Sequence, residues 1–596
     1  MKSIKPKKLF ARQKKSATEL GERANEQVDR HVVGRLQSLA HSWRFVLSWL
    51  VLATLLVWVL AVQTRDLSRY YTRTAAIDGG TYVEGILGPV TNFNPIFGST
   101  SADQSVSRLL FSSILKVDQN NQLVNDLAES IEADERAATF TVVLKDDVFW
   151  HDGEELDTAD VAFTLQSIQD PDARSPLFRS WEGVDYDVID EQTIEFNLPG
   201  SFSPFPTLLT FGILPQHILG DLSPNQLRGA QFNSTNPIGS GPFEFRRIVN
   251  EEGTAESDRE LQIQLSAYDS YHLGEPRLEG FNFWVVPDED RLKELFEDGQ
   301  LSGSGDIDVS SAQLDNLKAQ EQTFSLTSAA FLFFKNTNPQ LEDVELRRAL
   351  AQSIDVADVI GALGEPAIRI NSPLLPEQLG YREDIQQVGF DLAAAESALD
   401  DLGWVVGEDG LRRNDGETLD LQITSQADTV FEPIAIRIVD QLANVGVNAS
   451  LDLRSRDGYI ENVLQNHVYS DIVIHAINIG IDPDVYSFWH STQFDPNSTV
   501  RLNLAEYSSE LADEGLDGGR SRVEEDIRSD KYQIFLEAWA DEVPAIGLYR
   551  NSYDYYTLSG VEGPSGNLLS TPLDRYRDVT EWTVLTGKED VLSSPQ

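Results

Sequence analysis

The chain contains no cysteine in 596 residues, which excludes disulfides, a thiolate nucleophile and any cysteine-based metal site. Histidine is scarce too, at eight residues, and no HExxH zinc motif occurs. A GxSxG nucleophile elbow and a GxxxxGK[ST] phosphate loop are also missing, so familiar hydrolase and nucleotide chemistries have no anchor. His467, His475 and His490 have no ligand spacing that would make them a metal trio. Acidic pairs such as Asp400–Asp401 and Glu524–Glu525 are expected by chance in so acidic a chain and do not identify a glycosidase. No catalytic residue, metal ligand or cofactor is assigned.

Positive charge is the next shortage. Lys and Arg number 47 against 96 Asp and Glu, for a formal charge of −49. Nucleic-acid binding needs clustered cations and is disfavoured. The cations that exist are polarised along the chain: the first 44 residues hold eleven Lys/Arg and four acids, a balance of +7, leaving −56 beyond. Such acidity keeps a surface solvated and attracts cationic ligands at long range.

Long apolar runs are equally rare, and the one at Phe45–Val62 decides the topology. Its eighteen residues are uncharged, broken only by Ser48 and Thr54, and span roughly 27 Å as a helix. A cleaved signal peptide has a core of about 7–15 residues and a small-residue cleavage site, and AVQTRD is a poor one. The expectation is an uncleaved anchor over 45–63, with Trp43 and Trp49 toward one interface. The basic segment 1–44 stays cytoplasmic and the acidic mass lies outside. Residues 64–77, with Arg65, Arg69 and Arg73, read as a stalk.

With 41% hydrophobic residues, the remainder is globular and long enough for two or three domains. Thr139–Leu144 is rich in β-branched residues and reads as a strand. His151–Asp152–Gly153 is a turn, after which Asp157 or Thr158 caps a helix burying Val161, Leu165 and Ile168. Thr81–Leu87, Thr193–Leu198, Phe281–Val286 and Asp471–Ile479 also read as strands. Arg437–Gly446 followed by Val447–Leu453 makes a helix–strand unit. Leu346, Leu350 and Ile354 set a helical rhythm over Asp343–Ile360, with Arg347 and Asp355 on one face. Alternating strands and helices fit an α/β class.

The wording of Leu127–Ile168, LAESIEADERAATFTVVLKDDVFWHDGEELDTADVAFTLQSI, resembles the signature of the bacterial family 5 extracellular solute-binding proteins. These are the peptide- and nickel-type receptors of ABC importers. The resemblance continues in order through Asn236–Phe245 (NPIGSGPFEF), Ala329–Asn338 (AAFLFFKNTN) with Asp343–Ile360, Gly389–Trp404, Asp482–Trp489 and Tyr532–Tyr549. Many members are tethered by a lipid on an N-terminal cysteine, and here the apolar helix takes that place.

The resemblance implies a two-lobed periplasmic-binding-protein-like fold with an enlarged, discontinuous first lobe. The expected division is lobe I at 78–285, lobe II at 286–540 and a return to lobe I at 541–596. The implied function is non-enzymatic capture of a peptide, or similar extended ligand, for an ABC permease and its ATPase. Nickel or metallophore binding on the same scaffold is the alternative, and a signalling or adhesion ectodomain is one of another class. The segments that line the family's cleft carry Phe93, Asn94, Ser99, Thr100, Ser101, Trp181, Phe331, Asn336, Ile477, Ile479, Asp482, Asp484, Tyr486, Trp489 and Tyr549. Peptide-binding relatives place an amine-pairing Asp three residues before the acidic–Pro dipeptide, where this chain has Ile479. Asp482 or Asp484 is then the expected partner of a cationic ligand.

Overall fold

The computed structural model describes residues 43–250, 260–364, 367–496 and 501–590. The expected basic segment lies outside these, apart from its last two residues. The chain divides into two compact units, Met1–Ala75 with Thr586–Gln596, and Ala76–Leu585.

The first unit contains the helix Trp43–Tyr71. Its Phe45–Gln63 stretch is apolar, long enough to cross a membrane and entirely unburied, and no other helix among the described residues qualifies. The helix runs on past Arg65 and Arg69, so the first part of the expected stalk is helical.

The second unit is organised by one large mixed sheet. Across it the order is Asn448–Arg454, Asp420–Gln426, Ile472–Asn478, Gln320–Phe334, Ala545–Thr557, Gly303–Ser304, Thr81–Leu87, Gly280–Val286, Leu261–Ala267 and Phe243–Asn250. The two middle strands, of 15 and 13 residues, pair antiparallel from Gln320↔Thr557 to Phe333↔Ala545. They join two sets of cores. At one end Phe324 and Tyr555 pack with Leu569. At the other, Ala330, Leu332 and Phe334 enter one core while Ala329, Phe331 and Phe333 enter a second on the opposite face. A strand covered on both faces has no polar alternation, which is why this segment reads AAFLFF. The pairing loses register between Ser325 and Ala329, midway between the two ends. Such breaks bend and twist a strand locally.

The first lobe carries the main core, where Tyr82 stacks on Phe281 at 5.1 Å and Trp582 closes at 4.9 Å. A separate four-stranded sheet is ordered Ala128–Ala133, Thr139–Leu144, Thr193–Asn197, Asp185–Val188. Its helix Thr158–Gln169 begins at Asp157 in a capping box with Asp160 and buries Val161, Leu165 and Ile168. The Gly239–Gly241 segment is held by contact: a Cβ at Gly239 would stand 1.8 Å from Leu110 O, and one at Gly241 2.5 Å from Leu109 O. No other residue fits that approach.

In the second lobe, helices Val344–Gln352, Leu392–Asp401 and Phe431–Asn444 cover one face of the sheet. Helices Glu510–Arg520 and Glu525–Glu542 cover the other.

Two expectations are corrected. The chain was expected to enter lobe II at residue 286. Instead Val286, Leu292, Leu295, Phe296 and Leu301 pack with Val83, Leu87 and Tyr556 of the first lobe, and the crossing is made by Gln320–Phe334. The apolar strand Gly280–Val286 is simply the parallel partner of Thr81–Leu87. Arg347 and Asp355 do not share a helix face either. The helix ends at Gln352, and Asp355 caps the next one, Val356–Gly361, by accepting from the Ala357 and Asp358 amides. An Asp that can bond nearby amides ends one helix and starts another. Arg347 points inward and donates to the carbonyls of Leu341, Glu342, Glu542 and Val543.

Candidate functional site

Between the lobes lies a cavity of about 480 Å³. The first lobe contributes Gln122, Leu123 and the Ser203–Thr207 loop, and the second contributes Glu377–Leu379, Ile481–Pro483, Glu525 and Arg528. The 482–489 loop reaches it because the preceding strand, Ile472–Asn478, pairs with the crossing strand and ends at the boundary between lobes. Ile479, next in line, is tied to Thr327 O through its amide at 3.0 Å and is only 6% exposed. It offers no charge, so a cationic ligand has to look to the carboxylates that follow.

Those carboxylates are already engaged. Both oxygens of Asp482 accept from Arg528 Nη2, at 2.7 and 2.8 Å. Asp484 Oδ2 accepts from Arg520 Nη2 at 3.1 Å. Burial pushes both carboxyls above their usual range against the pull of these arginines, Asp484 to about 6. Asp482 and Asp484, the expected partners of a cationic ligand, each meet a guanidinium of this chain first. Isolated buried carboxylates are costly, and these are matched from within. Glu377, also on the cavity wall, pairs with Arg550 at 2.6 Å.

Arg520 does more than neutralise Asp484. Its guanidinium lies 4.0 Å from the Tyr486 ring centre and 4.9 Å from that of Phe202, a first-lobe residue. Its carbonyl accepts from Ser203 N at 2.8 Å and Ser203 Oγ at 3.1 Å. One residue of the second lobe thus clasps the first at the edge of the cavity.

The other expected residues separate by burial. Phe93 and Asn94 are sealed in the first lobe, where Asn94 Nδ2 donates to Asn233 Oδ1 at 3.0 Å and Asn94 Oδ1 accepts from Ile96 N at 3.1 Å. Phe331, Ile477 and Trp489 are core residues of the second, with the Trp489 ring 5.7 Å from Phe331 and 5.8 Å from Trp539. Tyr549 is likewise buried against the core beneath the sheet. Asn336 holds Ala505 O through its amide and Nδ2. These residues support the walls and do not line the cavity in this conformation. Ser99 and Ser101 are exposed, while Thr100 caps helix Ser101–Leu110 in a capping box with Asp103. Trp181 is 1% exposed, edge-on to Phe205 and Phe211.

Reading the sequence missed Arg520, Arg528, Glu377 and the Phe202–Thr207 loop. One signal existed: two acids in an apolar-flanked DPD loop demand cations, and Arg520 closes the helix Glu510–Arg520 while Arg528 lies in the first turns of the aromatic helix Glu525–Glu542. Nothing local ties them together, since Arg528 is 46 residues from Asp482.

The model of the bacterial extracellular solute-binding proteins, family 5, matches residues 122–498, spanning both lobes. This chain belongs to that family. The solute-binding protein is 26% identical over 493 residues to the oligopeptide-binding protein AppA of Bacillus subtilis, covering 79% of this chain and 86% of that one. The structure of AppA in complex with a nonapeptide superposes with a TM-score of 0.64 at 23% identity, covering 86% of this chain and all of that one. NikZ from Campylobacter jejuni in complex with Ni(L-His) gives 0.66 at 20% identity, covering 84% and 99%. These likenesses establish a two-lobed binding protein of extracytoplasmic type, and the family's members bind rather than transform their ligands.

Proposed function

We propose that the protein is a membrane-anchored receptor that captures an extended peptide between its two lobes and delivers it to an ABC permease. The observation that carries this reading is the cavity between the lobes, about 480 Å³ and walled from both sides. A site of this kind, concave and shared between domains, is where extended ligands bind. AppA, similar over most of the chain, is an oligopeptide-binding protein whose structure holds a nonapeptide.

Closure would turn on the strand pair Gln320–Phe334 and Ala545–Thr557, at the register break after Ser325. A ligand that touches both walls favours the closed state by its differential affinity. The permease then has two shapes to distinguish, and ATP hydrolysis belongs to its ATPase. The Trp43–Tyr71 helix serves as the single anchor, with the acidic bulk of the chain outside.

Mass spectrometry of ligands co-purified with the detergent-extracted protein is the direct test, followed by calorimetric titration with those ligands. Peptides should appear, and adding them should reduce the radius of gyration in solution scattering. Recovery of a nickel complex instead, or saturation without compaction, would overturn the reading. N-terminal sequencing of the membrane-extracted protein should begin near Met1. A start between about residues 62 and 78 would remove the anchor.

A further inference from the structure

The two crossing strands pair at Ser325↔Ser552 and again at Ala329↔Arg550, so Leu326, Thr327 and Ser328 stand opposite Asn551 alone. Backbone pairing between the strands is interrupted there, and side chains of the second strand take its place. Arg550 Nε donates to Leu326 O at 2.6 Å, and Asn551 Nδ2 donates to Ser328 Oγ at 3.0 Å. Thr327 turns elsewhere, donating to Asn478 Oδ1 and Ser570 O, each at 3.2 Å. Of these contacts only the first reaches the inter-lobe cavity. Arg550 Nη1 donates to Glu377 Oε1 at 2.6 Å, and Glu377 stands on the cavity wall, whereas neither Asn551 nor Ser328 lines it. The remaining nitrogen, Nη2, is buried without a partner among the described residues. Arg550 is thus held at two points, one on the break and one on the wall. Its side chain is 5% exposed and that of Glu377 42%, so water can take over from Arg550 at the carboxylate but cannot reach the guanidinium as readily.

We propose that Arg550 is a strut that stiffens the hinge between the lobes, and that Glu377 sets this stiffness from the cavity wall. The inference rests on the reading that the lobes close on the crossing strands at this break. A guanidinium is a planar fork, so the directions of Nε and Nη1 are fixed relative to each other. Glu377 and Leu326 O are therefore held in one frame, and fixing one arm orients the other. Neutralising Glu377 leaves the fork free to turn and weakens its hold on Leu326. Whatever engages Glu377 in the cavity reaches the hinge through a single side chain, which makes Arg550 a positioning residue for closure.

The test is amide hydrogen exchange, read by mass spectrometry on the detergent-extracted full chain with no ligand added. Exchange over residues 322–331 and 549–553 should be about two- to fivefold faster in Glu377→Gln than in the native protein, as expected for losing a half-exposed ion pair. In Arg550→Met, which loses both bonds, it should be about tenfold faster. Adding Glu377→Gln to Arg550→Met should change nothing further, because Glu377 acts through Arg550. Exchange of Thr139–Leu144 and Phe431–Asn444, one in each lobe, should stay native in every variant and so show that the lobes are folded. Native hinge exchange in Glu377→Gln, or a Glu377→Gln effect undiminished by Arg550→Met, would overturn the proposal. A rise that extends to both control segments would do so too, since Glu377 would then support the whole fold. Should Arg550→Met fail to fold, Arg550→Lys replaces it. A single ammonium cannot hold both acceptors in one plane, so hinge exchange should rise at least as far as in Glu377→Gln, and native exchange would overturn the strut. Closure itself is judged separately by scattering: faster hinge exchange in Glu377→Gln, in a protein that no ligand compacts, would uphold the strut and discard the closure reading.

Discussion

Each lobe buries carboxylates against arginine, and the two arrangements differ in completeness. In the first lobe Glu84 is fully sealed and accepts from Arg575 Nε at 2.9 Å and Tyr576 OH at 2.6 Å. Arg575 spends its other donors on Pro572 O at 2.7 Å and Ser105 Oγ at 3.0 Å. This network joins the strand Thr81–Leu87, the helix Ser101–Leu110 and the turn Pro572–Glu581, none of which lines the inter-lobe cavity. In the second lobe Asp484 Oδ1 and Arg520 Nε are buried without a partner, and Asp482 and Arg528 stand on the cavity wall. A fully satisfied buried network rigidifies its surroundings, whereas a partly satisfied one carries the cost of its unpaired groups and gains from any rearrangement that pairs them. Burial of charge therefore marks scaffold in one lobe and a movable part of the site in the other.

The largest effect should come from the sealed network. Glu84→Ala strands Arg575 without its counter-ion, at a cost of about 3–5 kcal/mol in unfolding free energy. Denaturant titration of the purified protein would read it. A loss below about 1 kcal/mol would break the comparison, because the Glu84 network would then be no stiffer than the cleft pairs.

Arg528→Met should cost less, about 1–3 kcal/mol, since Asp482 can rehydrate from the cavity. Its sharper consequence is for recognition. Freed of Arg528, Asp482 becomes able to pair a ligand amine. The variant should prefer a peptide with a free N-terminus over its N-acetylated form by about tenfold more than the native protein does. Equal discrimination in both proteins would show that Asp482 does not face the ligand even when released.

The sequence made the architecture legible where local physics and pattern agree. Thr139–Leu144 and the Asp157 cap with its buried Val161, Leu165 and Ile168 stand where periodicity and capping chemistry put them. Apolar character alone misled. Gly280–Val286 looked like a crossing strand because a parallel strand buried on both faces resembles any other, and aromatic residues such as Phe331 and Trp489 read equally well as cleft or core. The site was legible as a loop and not as a charge state. Asp482 and Asp484 were visible, but the partners that neutralise them come from a helix pair whose docking no local rule encodes. Trp181 came closer, since it lines a cavity of the first lobe while remaining almost wholly buried.

The smallest effect tests the incomplete pair through its proton. Burial raises the Asp484 carboxyl to about 6, against about 3.9 for an unfolded chain. Between those values the native state holds a proton that the unfolded state has released. This group's contribution to stability is therefore full below about pH 4 and is lost as pH rises through 6. The clasp responds in the opposite sense. Protonated Asp484 gives up its charge on Arg520, leaving that guanidinium to Tyr486 and Phe202, contacts worth about 0.5–1 kcal/mol each. Acidification from pH 7.5 to 5 should thus open the ligand-free lobes slightly while easing the burial penalty of Asp484. Solution scattering would show a larger radius of gyration at pH 5 in the native protein and none of that change in Asp484→Asn. Arg520→Ala should be open at both values. In paired denaturant titrations the native protein should lose stability relative to Asp484→Asn as pH climbs from 4 to 6. A native protein whose scattering and relative stability ignore pH would show that Asp484 keeps its charge throughout. The second lobe's pair would then be as fixed as Glu84 with Arg575.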